Sequence, residues 1–566
     1  MILRALYDYY QRCGDLPAFG MELKEIGFLI VISKEGKFLR FEDRRIDKKS
    51  AQQFLVKKSI GRSSGVAPNT LYDNSQYVFG YMPEKGDMDK MRKYYDSFKA
   101  KIEELYTIAP ENSTLRSLVK FYDQEPSTIV DCMQQDSLWG EIVANLNKKY
   151  SSFSFLIEGD TEIVASKLDL IHLSDGRNSS ANNICLISGN KGLTARVHSK
   201  TPFQGNPFSS LVSFMEGKGY DSYGKSQGSN APVSEEAEFA YTTALNHMLR
   251  ADSHNKFSVG TRTFLFWASS NSEAAQASEN SLFALFGKSD DEDPNRRVEL
   301  VRQTFMSIYN GKLVSHQDDK FYILGLAPNS ARIAVVYWAE VPLCEFAHTI
   351  SRHFDDMEVV DIRKDQRPYA GLHAILGAVT LGGKSGDATP NLPDAVVKSI
   401  FQGLSYPASL YQSCIRRIRA EQSLTITRVA IIKAYLNRLN DNNTKIQIML
   451  DKENTNQGYL CGRLFAVLEN LQYAANKQDS IRSSYMNAAS STPAAVFSTI
   501  LKLSNSHYGK LAKDKKGLAI YFDAQKEEIM AMIKDFPETL DLQDQGRFFL
   551  GYYHQKNYKE NKETEE

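Results

Sequence analysis

The chain has 566 residues and a mass of 63.8 kDa, more than one hydrophobic core usually organises, so we expect two to four domains. Hydrophobic residues make up 42% and aromatic residues 11% of the chain, which excludes wholesale disorder. The 68 basic and 68 acidic residues cancel, which excludes a uniformly basic nucleic-acid coat but leaves room for local basic patches.

The N-terminal part mixes helix and strand patterns. An amphipathic helix is predicted over 2–12, followed by two strand-like runs, IGFLIVISKEG and KFLRFED, that turn at Glu35-Gly36. A loop rich in Gly, Ser, Asn and Pro then spans 57–81 and returns to a strand. Helical patterns follow over 87–106 and 234–249, the second with a serine cap and an acidic first turn.

Two predicted strands, 261–268 and 321–327, flank an acidic stretch, 289–294, which we interpret as a surface loop without an assigned role. Beyond a Gly- and Pro-containing stretch at 376–394, apolar residues recur at three- and four-residue spacing and predict a helical bundle. Its four helical patterns are SLTITRVAIIKAYLNRLN, YLCGRLFAVLENLQYAAN, TPAAVFSTILKLSNSHYGKLAK and KEEIMAMIKDFPETL.

These patterns predict an α+β fold with three regions. They are an N-terminal mixed α/β subdomain (1–110), an α/β central region (111–385) and a C-terminal all-α bundle (386–566). The six cysteines form no C-x-x-C motif, and the chain has no stretch of about 18 apolar residues. We therefore expect a cytoplasmic protein of a reducing compartment, with no membrane partner.

The segment Gly219–Ser226 satisfies the phosphate-loop pattern G-x-x-x-x-G-K-[ST]. Such a loop needs an α-helix that begins at the Lys-Ser pair, so that its amides and its dipole face the phosphates. Here Gln-Gly-Ser-Asn-Ala-Pro follows, and the next predicted helix begins near Ser234. A P-loop nucleotide-binding enzyme is the alternative function, and it rests on this segment alone.

The sequence contains no other catalytic constellation. The ten histidines are scattered, and the motifs H-E-x-x-H and G-x-S-x-G are absent. His198 and His554 lie in polar and aromatic surroundings, where a structural histidine is more common than a general base. We therefore expect a protein that is not an enzyme and that needs neither a metal nor a cofactor.

Two polar loops carry groups that suit nucleic acid, because cations pair with phosphates and asparagine amides reach base edges, including adenine bidentately. The candidates of the first loop, 57–75, are Lys57, Lys58, Arg62, Ser63, Asn69 and Asn74. The second loop, 223–230, offers Lys225, Gln227 and Asn230. A turn stabilised by Asn and Ser, with solvated lysines, explains the first loop equally well.

The helical region also has a basic excess, with 11 basic and 6 acidic residues over 401–482. A basic stripe on a bundle can follow a single strand of nucleic acid, although a charged helix face is more often simply solvated. The candidates are Arg416, Arg417, Arg419, Arg428, Lys433 and Arg438. A scaffold that binds only proteins is a third hypothesis, and it requires all these basic residues to be solvated.

Several stretches, in order along nearly the whole chain, form a recognisable set. The longest is 185–249, which begins CLISGNKGLTARVHSKTPFQGNPFSSLVSFMEGKGYDSYGKSQGSNAPVSEEAEFAY. Shorter ones are LYDYYQRCGDLPAFG, RSSGVAPNTLYDNSQYVFGY, NSARIAVVYW, GYLCGRLFAVLENLQYAA and QGRFFLGYYHQ. Together they resemble the large subunit of the type I-C CRISPR Cascade complex.

The resemblance implies a non-catalytic subunit of an antiviral ribonucleoprotein complex. In that family the guide RNA reads the target by base pairing, while the large subunit reads a short flanking motif (PAM) in the duplex and promotes R-loop formation. Implied partners are the guide RNA, target double-stranded DNA, the displaced strand, the backbone and guide-processing subunits, and a recruited helicase-nuclease.

The resemblance also implies a separate small subunit made from an internal start in the same reading frame. Met449 is the candidate, and a chain of residues 449–566 would have 118 residues. Within the resembling stretches, we predict that Asn69 and Asn74 read flanking bases and that Lys57, Lys58 and Arg62 hold phosphates. Lys225, Gln227 and Asn230 are the second set, for duplex contact or strand separation.

Overall fold

The computed structural model describes residues 2–60, 65–82, 87–173, 183–217, 219–286, 294–360, 371–439, 445–477 and 480–558. The predicted acidic loop at 289–294 falls almost entirely outside these ranges. Among the described helices, none is both long enough and apolar enough to cross a membrane. The predicted α+β class is confirmed, since a mixed N-terminal region precedes a wholly helical C-terminal one.

Up to residue 249 the elements alternate between short strands and helices. In chain order they are α1 Ile2–Arg12, β1 Met21–Glu25, β2 Phe28–Ile32, β3 Phe38–Asp43, β4 Gln53–Lys57, β5 Tyr72–Asn74, α2 Ser75–Val78, α3 Met88–Ile108, α4 Ser113–Tyr122, α5 Pro126–Gln134, α6 Trp139–Asn145, β6 Ser152–Ile157, α7 Leu168–Leu173, β7 Asn183–Ile184, β8 Lys191–Gly192 and α8 Glu235–Leu249.

From residue 256 four strands, with two helices between the second and the third, are followed by helices alone. The elements are β9 Lys256–Val259, β10 Arg262–Ala268, α9 Glu273–Phe286, α10 Pro294–Tyr309, β11 Lys320–Asn329, β12 Arg332–Pro342, α11 Leu343–Met357, α12 Leu372–Ala378, α13 Leu392–Phe401, α14 Ala408–Glu421, α15 Ile426–Leu439, α16 Gln457–Asn476, α17 Ser480–Ala489, α18 Pro493–Asp514, α19 Lys516–Met532 and α20 Leu542–Lys556.

The chain divides into two compact units. The larger unit comprises Met1–Arg12, Lys200–Ser213 and Leu245–Glu566, and the smaller unit comprises Cys13–Ser199 and Phe214–Ala244. Neither predicted boundary, at 110 or at 385, coincides with a boundary between these units. The sequence pattern changes at 385 because strands give way to helices, yet both kinds of element belong to the larger unit.

The smaller unit is built on a four-stranded sheet with the order β3-β2-β6-β5, in which β2 and β6 are parallel. All five residues of β2 are buried, as its continuous apolar sequence predicts for a central strand. The predicted turn at Glu35-Gly36 joins β2 to β3. Gly36 has φ +78°, and a Cβ there would lie 2.6 Å from the backbone nitrogen of Phe121, so only glycine fits.

The larger unit contains an antiparallel sheet with the order β12-β11-β10-β9 and a C-terminal helical region. The two strands predicted at 261–268 and 321–327 are confirmed as the neighbours β10 and β11. The C-terminal region contains eight helices, α13 to α20, in its described part, where the sequence indicated four. The pattern at 526–540 is helical only to Met532, since the backbone is already extended at Ile533. Phe536, beyond the helix, stacks on Phe497 with 4.8 Å between ring centroids.

Helix α16 is the centre of the bundle and is buried on every side over most of its length. It meets α20 backbone to backbone at two glycines. A Cβ on Gly462 would lie 1.9 Å from the carbonyl oxygen of Phe548, and a Cβ on Gly551 would lie 2.1 Å from that of Tyr459. Contacts this short leave no room for any side chain, so the two glycines set the distance between the helices.

We predict that Gly462→Ala and Gly551→Ala each destabilise the larger unit by about 2–3 kcal/mol, because the added methyl group collides with backbone that cannot rotate away. The matched control is Gly509→Ala in α18, where a Cβ meets nothing within 4 Å. This control should be neutral or stabilise by up to about 1 kcal/mol through helix propensity. Urea unfolding followed by circular dichroism measures all three, and equal midpoints for the three variants would contradict the prediction.

Candidate nucleic-acid interface

The first polar loop of the smaller unit, 57–75, runs from the end of β4 to the start of α2. The candidates Arg62 and Ser63 lie outside the described residues. The structure describes the loop on either side of them, at 57–60 and 65–75. Asn69 joins these ends and is only 8% exposed. Its side-chain oxygen accepts from the backbone N–H of Ile60 at 2.9 Å, and its own N–H donates to Oδ2 of Asp73 at 2.8 Å.

Asn74 also has a structural task, because it is the N-cap of α2. Its side-chain oxygen accepts from the backbone N–H groups of Gln76 (3.1 Å) and Tyr77 (3.4 Å), which satisfies amides that the helix leaves open. A bidentate contact to adenine needs both the oxygen and the nitrogen of an asparagine side chain. The side-chain oxygen of Asn74 already accepts two hydrogen bonds, so in this conformation Asn74 can donate from its amide nitrogen but cannot make the bidentate contact. The side-chain oxygen of Asn69 accepts one, from Ile60.

The two lysines at the start of the loop, Lys57 and Lys58, are half-buried. The Lys58 ammonium group donates to Oγ of Ser199 at 2.9 Å and lies 5.0 Å from the centroid of the Phe239 ring. A hydroxyl group and an aromatic ring orient a cation without cancelling its charge. Lys58 has no carboxylate partner among the described residues, so its charge remains available to an anion.

The second polar loop is organised by Asp221. Its carboxylate accepts from the backbone N–H groups of Gly217 and Gln227 and from Nδ2 of Asn230. These hydrogen bonds, from Gly217 first, lower the pKa of Asp221. The side chain of Gln227 is held from two sides, by Arg196 at 2.8 Å and Glu216 at 3.2 Å. Gln227 and Asn230 therefore hold the loop together.

The side chains that the second loop presents outward are different ones. Lys225 is exposed, and Tyr223 and Tyr220 are 98% and 70% exposed. Tyr223 also has φ +53°, a left-handed conformation that is unusual for an aromatic residue. Sequence reasoning missed both tyrosines, although two aromatic residues within a Gly- and Ser-rich loop were a visible signal.

A short run of residues, 194–199, connects the two loops. Ser199 at one end holds Lys58, and Arg196 holds Gln227. The backbone N–H of Gly228 donates to the carbonyl oxygen of Arg196 at 2.9 Å, and a Cβ on Gly228 would lie 2.0 Å from the carbonyl oxygen of Ala195. The two sequence candidates are thus parts of one hydrogen-bonded layer within the smaller unit.

The phosphate-loop pattern Gly219–Ser226 lies inside this layer and lacks the surrounding elements of a P-loop. Residues 219–226 form turns and extended chain, and Gln227–Asn230 is a single 3-10 turn. The next α-helix begins at Glu235, nine residues after Ser226. The lysine therefore has no helix N-terminus beside it to face a phosphate.

Three of the six basic candidates of the bundle lie inside it. Arg428 is 5% exposed, and its Nε and Nη1 donate at 2.9 Å to the carbonyl oxygens of Ala378 and Ser423. Lys433 is 2% exposed and donates to the carbonyl oxygens of Asp355 and Asp356 at the end of α11. Burial lowers the pKa of Lys433 to about 8. These two cations stabilise helix ends and do not reach a surface strand.

The third, Arg438, has only 1% of its side chain exposed. It pairs with Asp356 at 2.6 Å, and its guanidinium group lies 4.3 Å from the centroid of the Tyr406 ring. The remaining candidates, Arg416, Arg417 and Arg419, are on α14, where Arg416 is exposed and the other two are half-buried. Within this second group Arg417 pairs with Glu421 on the same helix, so Arg416 and Arg419 are the members most available to a strand at the surface.

We predict that Arg438→Ala lowers the free energy of unfolding by about 3–5 kcal/mol, because it leaves the carboxylate of Asp356 buried without its cation. Arg416→Ala is the matched control and should change stability by no more than about 0.5 kcal/mol. Denaturant unfolding of the full chain measures both. A stable Arg438→Ala variant with weakened nucleic-acid binding would contradict the structural role and restore the surface one.

No metal site is apparent in the described part of the chain, where no three His, Cys, Asp or Glu side chains converge. Comparison with curated proteins finds no match. The model of the family described as CRISPR-associated protein (Cas_Csd1) matches residues 6–558, which is nearly the whole chain. The protein therefore belongs to this CRISPR-associated family.

Proposed function

We propose that this chain is the non-catalytic large subunit of a type I-C CRISPR RNA-guided surveillance complex. The observation that carries the proposal is the family match over residues 6–558. In such a complex base pairing with the guide RNA reads the target, and the protein reads the PAM in the duplex and promotes opening of the strands. Its partners are the guide RNA, the target duplex, the backbone and guide-processing subunits, and the recruited helicase-nuclease.

The first loop is our candidate for PAM recognition. Lys57, Lys58 and Arg62 position the duplex through its phosphates, which carry affinity but no sequence information. The amide nitrogens of Asn69 and Asn74 donate to acceptors on base edges, such as N7 and O6 of guanine or O4 of thymine. Support for this division comes from the ammonium group of Lys58, which has no carboxylate partner among the described residues.

Two further surfaces act after recognition in this proposal. Lys225 contacts the duplex where its strands separate, and Gln227 and Asn230 support it by holding the loop. The C-terminal bundle contacts the displaced strand, and Arg416, Arg417 and Arg419 are the members of the predicted set with exposed or half-buried side chains. The alternative, a P-loop enzyme, predicts ATP binding that is lost in Lys225→Ala, and such a result would replace this proposal.

The small subunit arises in this proposal from an internal start at Met449. The residue is 59% exposed and precedes α16 by eight positions, so a chain that begins there contains α16 to α20 complete. That chain lacks α14 and α15, which cover α20 in the full chain. The hydroxyl group of Tyr411 in α14 donates to the carbonyl oxygen of Leu542 at 2.7 Å, and a Cβ on Gly546 would meet that hydroxyl group at 2.0 Å.

We predict that Asn74→Ser separates the structural task of Asn74 from base reading. Serine keeps the helix cap but removes the amide nitrogen. The variant should therefore fold normally, while the assembled complex loses discrimination at one flanking base by about 1–3 kcal/mol. Binding to target duplexes with randomised flanking bases measures this discrimination.

Asn74→Ala is the control, since it removes both the cap and the amide and should also destabilise the smaller unit by about 1 kcal/mol. Lys58→Gln should weaken binding to all flanking sequences alike and make the salt dependence shallower. If Asn74→Ser and the corresponding Asn69→Asp both retain the flank preference of the wild type, neither asparagine reads a base.

We predict that Met449→Leu abolishes the small chain and leaves the full chain intact, because the side chain at this position is exposed and leucine has a similar volume. Intact-mass measurement of the purified complex should give a second chain of 118 residues in the wild type and none in the variant. Met486→Leu, within α17, is the control and should leave the small chain unchanged. A small chain that persists in Met449→Leu would place the start elsewhere.

A further inference from the structure

Five lysines lie at one end of the C-terminal bundle, and we call them the lysine tip. Lys477 is the C-cap of α16, Lys510 and Lys513 are near the end of α18, and Lys515 and Lys516 are at the start of α19. All five are exposed. The ends are in contact, since the ammonium group of Lys510 donates at 2.8 Å to the side-chain oxygen of Asn476, the residue before Lys477.

Positive charge predominates at the lysine tip. Four of its lysines lie between 507 and 522, where Asp514 is the only acidic residue, and in the sequence Asp479 follows the fifth, Lys477, by two positions. Across the described residues, none of the five lysines forms an ion pair. This distinguishes the tip from the buried set, in which Arg438 is paired with Asp356.

Helix dipoles account for only part of the cluster. Cations near a helix C-terminus are favourable, which explains Lys477 and Lys513 without any ligand. Lys515 is both the C-cap of α18 and the N-cap of α19, so the two helix dipoles act on it in opposite directions. Lys516 is the first residue of α19, where a cation is unfavourable, and the first turn of this helix has no acidic residue. Lys516 is therefore not explained by a helix dipole, and an external anion would offset its unfavourable position.

Exposed aromatic and aliphatic side chains accompany the lysines. Tyr473 is 54% exposed, and the ammonium group of Lys477 lies 5.2 Å from the centroid of its ring. On α19, Tyr521 is 36% and Ile520 51% exposed. Cations that follow a phosphate backbone, combined with rings on which bases stack, are the means by which proteins hold single-stranded nucleic acid without sequence preference.

We propose that the lysine tip binds single-stranded nucleic acid, with the lysines on its phosphates and Tyr473 and Tyr521 against its bases. This inference rests on the proposed function and deepens it, because it assigns a strand contact to lysines that are not among the six basic candidates predicted from the sequence. All members of the tip follow Met449, so a small subunit starting there carries the same site.

The test is binding of a fluorescent poly-dT oligonucleotide to the full-length chain, measured by anisotropy over a range of salt concentrations. The variant replaces all five tip lysines by glutamine (Lys477→Gln, Lys510→Gln, Lys513→Gln, Lys515→Gln, Lys516→Gln). We expect at least about a tenfold loss of affinity at 0.1 M salt. The slope of log K against log salt should become shallower by up to about 3.5, because each single-strand phosphate contact contributes about 0.7.

The matched control removes five exposed lysines elsewhere in the larger unit (Lys312→Gln, Lys384→Gln, Lys398→Gln, Lys445→Gln, Lys534→Gln) and so changes the net charge equally. It should retain nearly all affinity. Tyr473→Ala with Tyr521→Ala should lose at least about fivefold without changing the salt slope, since stacking is not ionic. Equal losses in tip and control variants would overturn the proposal, because net charge alone would then explain binding.

Competition identifies the class of ligand. Poly-glutamate of equal charge and vesicles containing phosphatidylserine should displace the oligonucleotide poorly, and efficient displacement by either would overturn the assignment to nucleic acid. The tip variant should retain the flank preference of the assembled complex. If the complex lacks flank preference but the lysine tip binds the oligonucleotide, only the proposed function is refuted. If the complex shows flank preference but the lysine tip does not bind the oligonucleotide, only the inference about the lysine tip is refuted.

Discussion

The backbone contact between α16 and α20 is the constraint on which the C-terminal half of the protein depends. At Gly462 and Gly551 the helices approach so closely that neither position accepts a side chain. Because α16 is buried all round, its polar residues must find partners inside the bundle. Arg463, 1% exposed, pairs with Glu528 at 2.8 Å, and Glu469, 2% exposed, accepts from Arg482 and Lys556, each at 2.8 Å. Of these pairs, Glu469–Lys556 joins α16 to α20, so a shift of one of these helices along the other would break it, and the glycines and this ion pair together fix one register.

The basic residues of the bundle differ in whether they lie inside it or at its surface. The basic residues of the bundle fall into an inner group that holds the fold and an outer group that remains available. Lys433 caps the end of α11 and Arg438 balances a buried carboxylate, whereas no lysine of the tip forms an ion pair within the described residues. The second loop of the smaller unit shows a similar division. Gln227 and Asn230 form hydrogen bonds with Asp221 within the loop, whereas Lys225 is exposed. A surface built in this way can bind a phosphate backbone without any rearrangement of the fold.

Sequence reasoning succeeded where a pattern is local. Periodicity and turn residues predicted α1, the β2–β3 hairpin, the neighbours β10 and β11, and the helical C-terminal region, because each depends on residues close together in the chain. The two compact units were not predictable, since both are assembled from separated segments. The buried cations were missed for a related reason. Arg428 and Arg438 have the same sequence signature as exposed arginines, and only the fold shows that their side chains are 6% and 1% exposed.

The candidate site was predicted in its location but only partly in its chemistry. Composition located both polar loops, yet it could not show that the side-chain oxygens of Asn69 and Asn74 are already used by backbone amides. Nor could it show which residues of 219–230 face outward, because that depends on hydrogen bonds to Asp221. Whether Asn69 and Asn74 read bases stays a prediction, and for Asn74 it is now restricted to donation from the amide nitrogen.

The most direct measurement is binding of the assembled complex to target duplexes with randomised flanking bases, with this chain present and with it left out. We predict that binding depends on the flanking bases only when the chain is present, and that adding the purified chain back restores the dependence. Flank-dependent binding that persists without the chain would contradict the proposed function, because recognition of the PAM would then belong to another subunit.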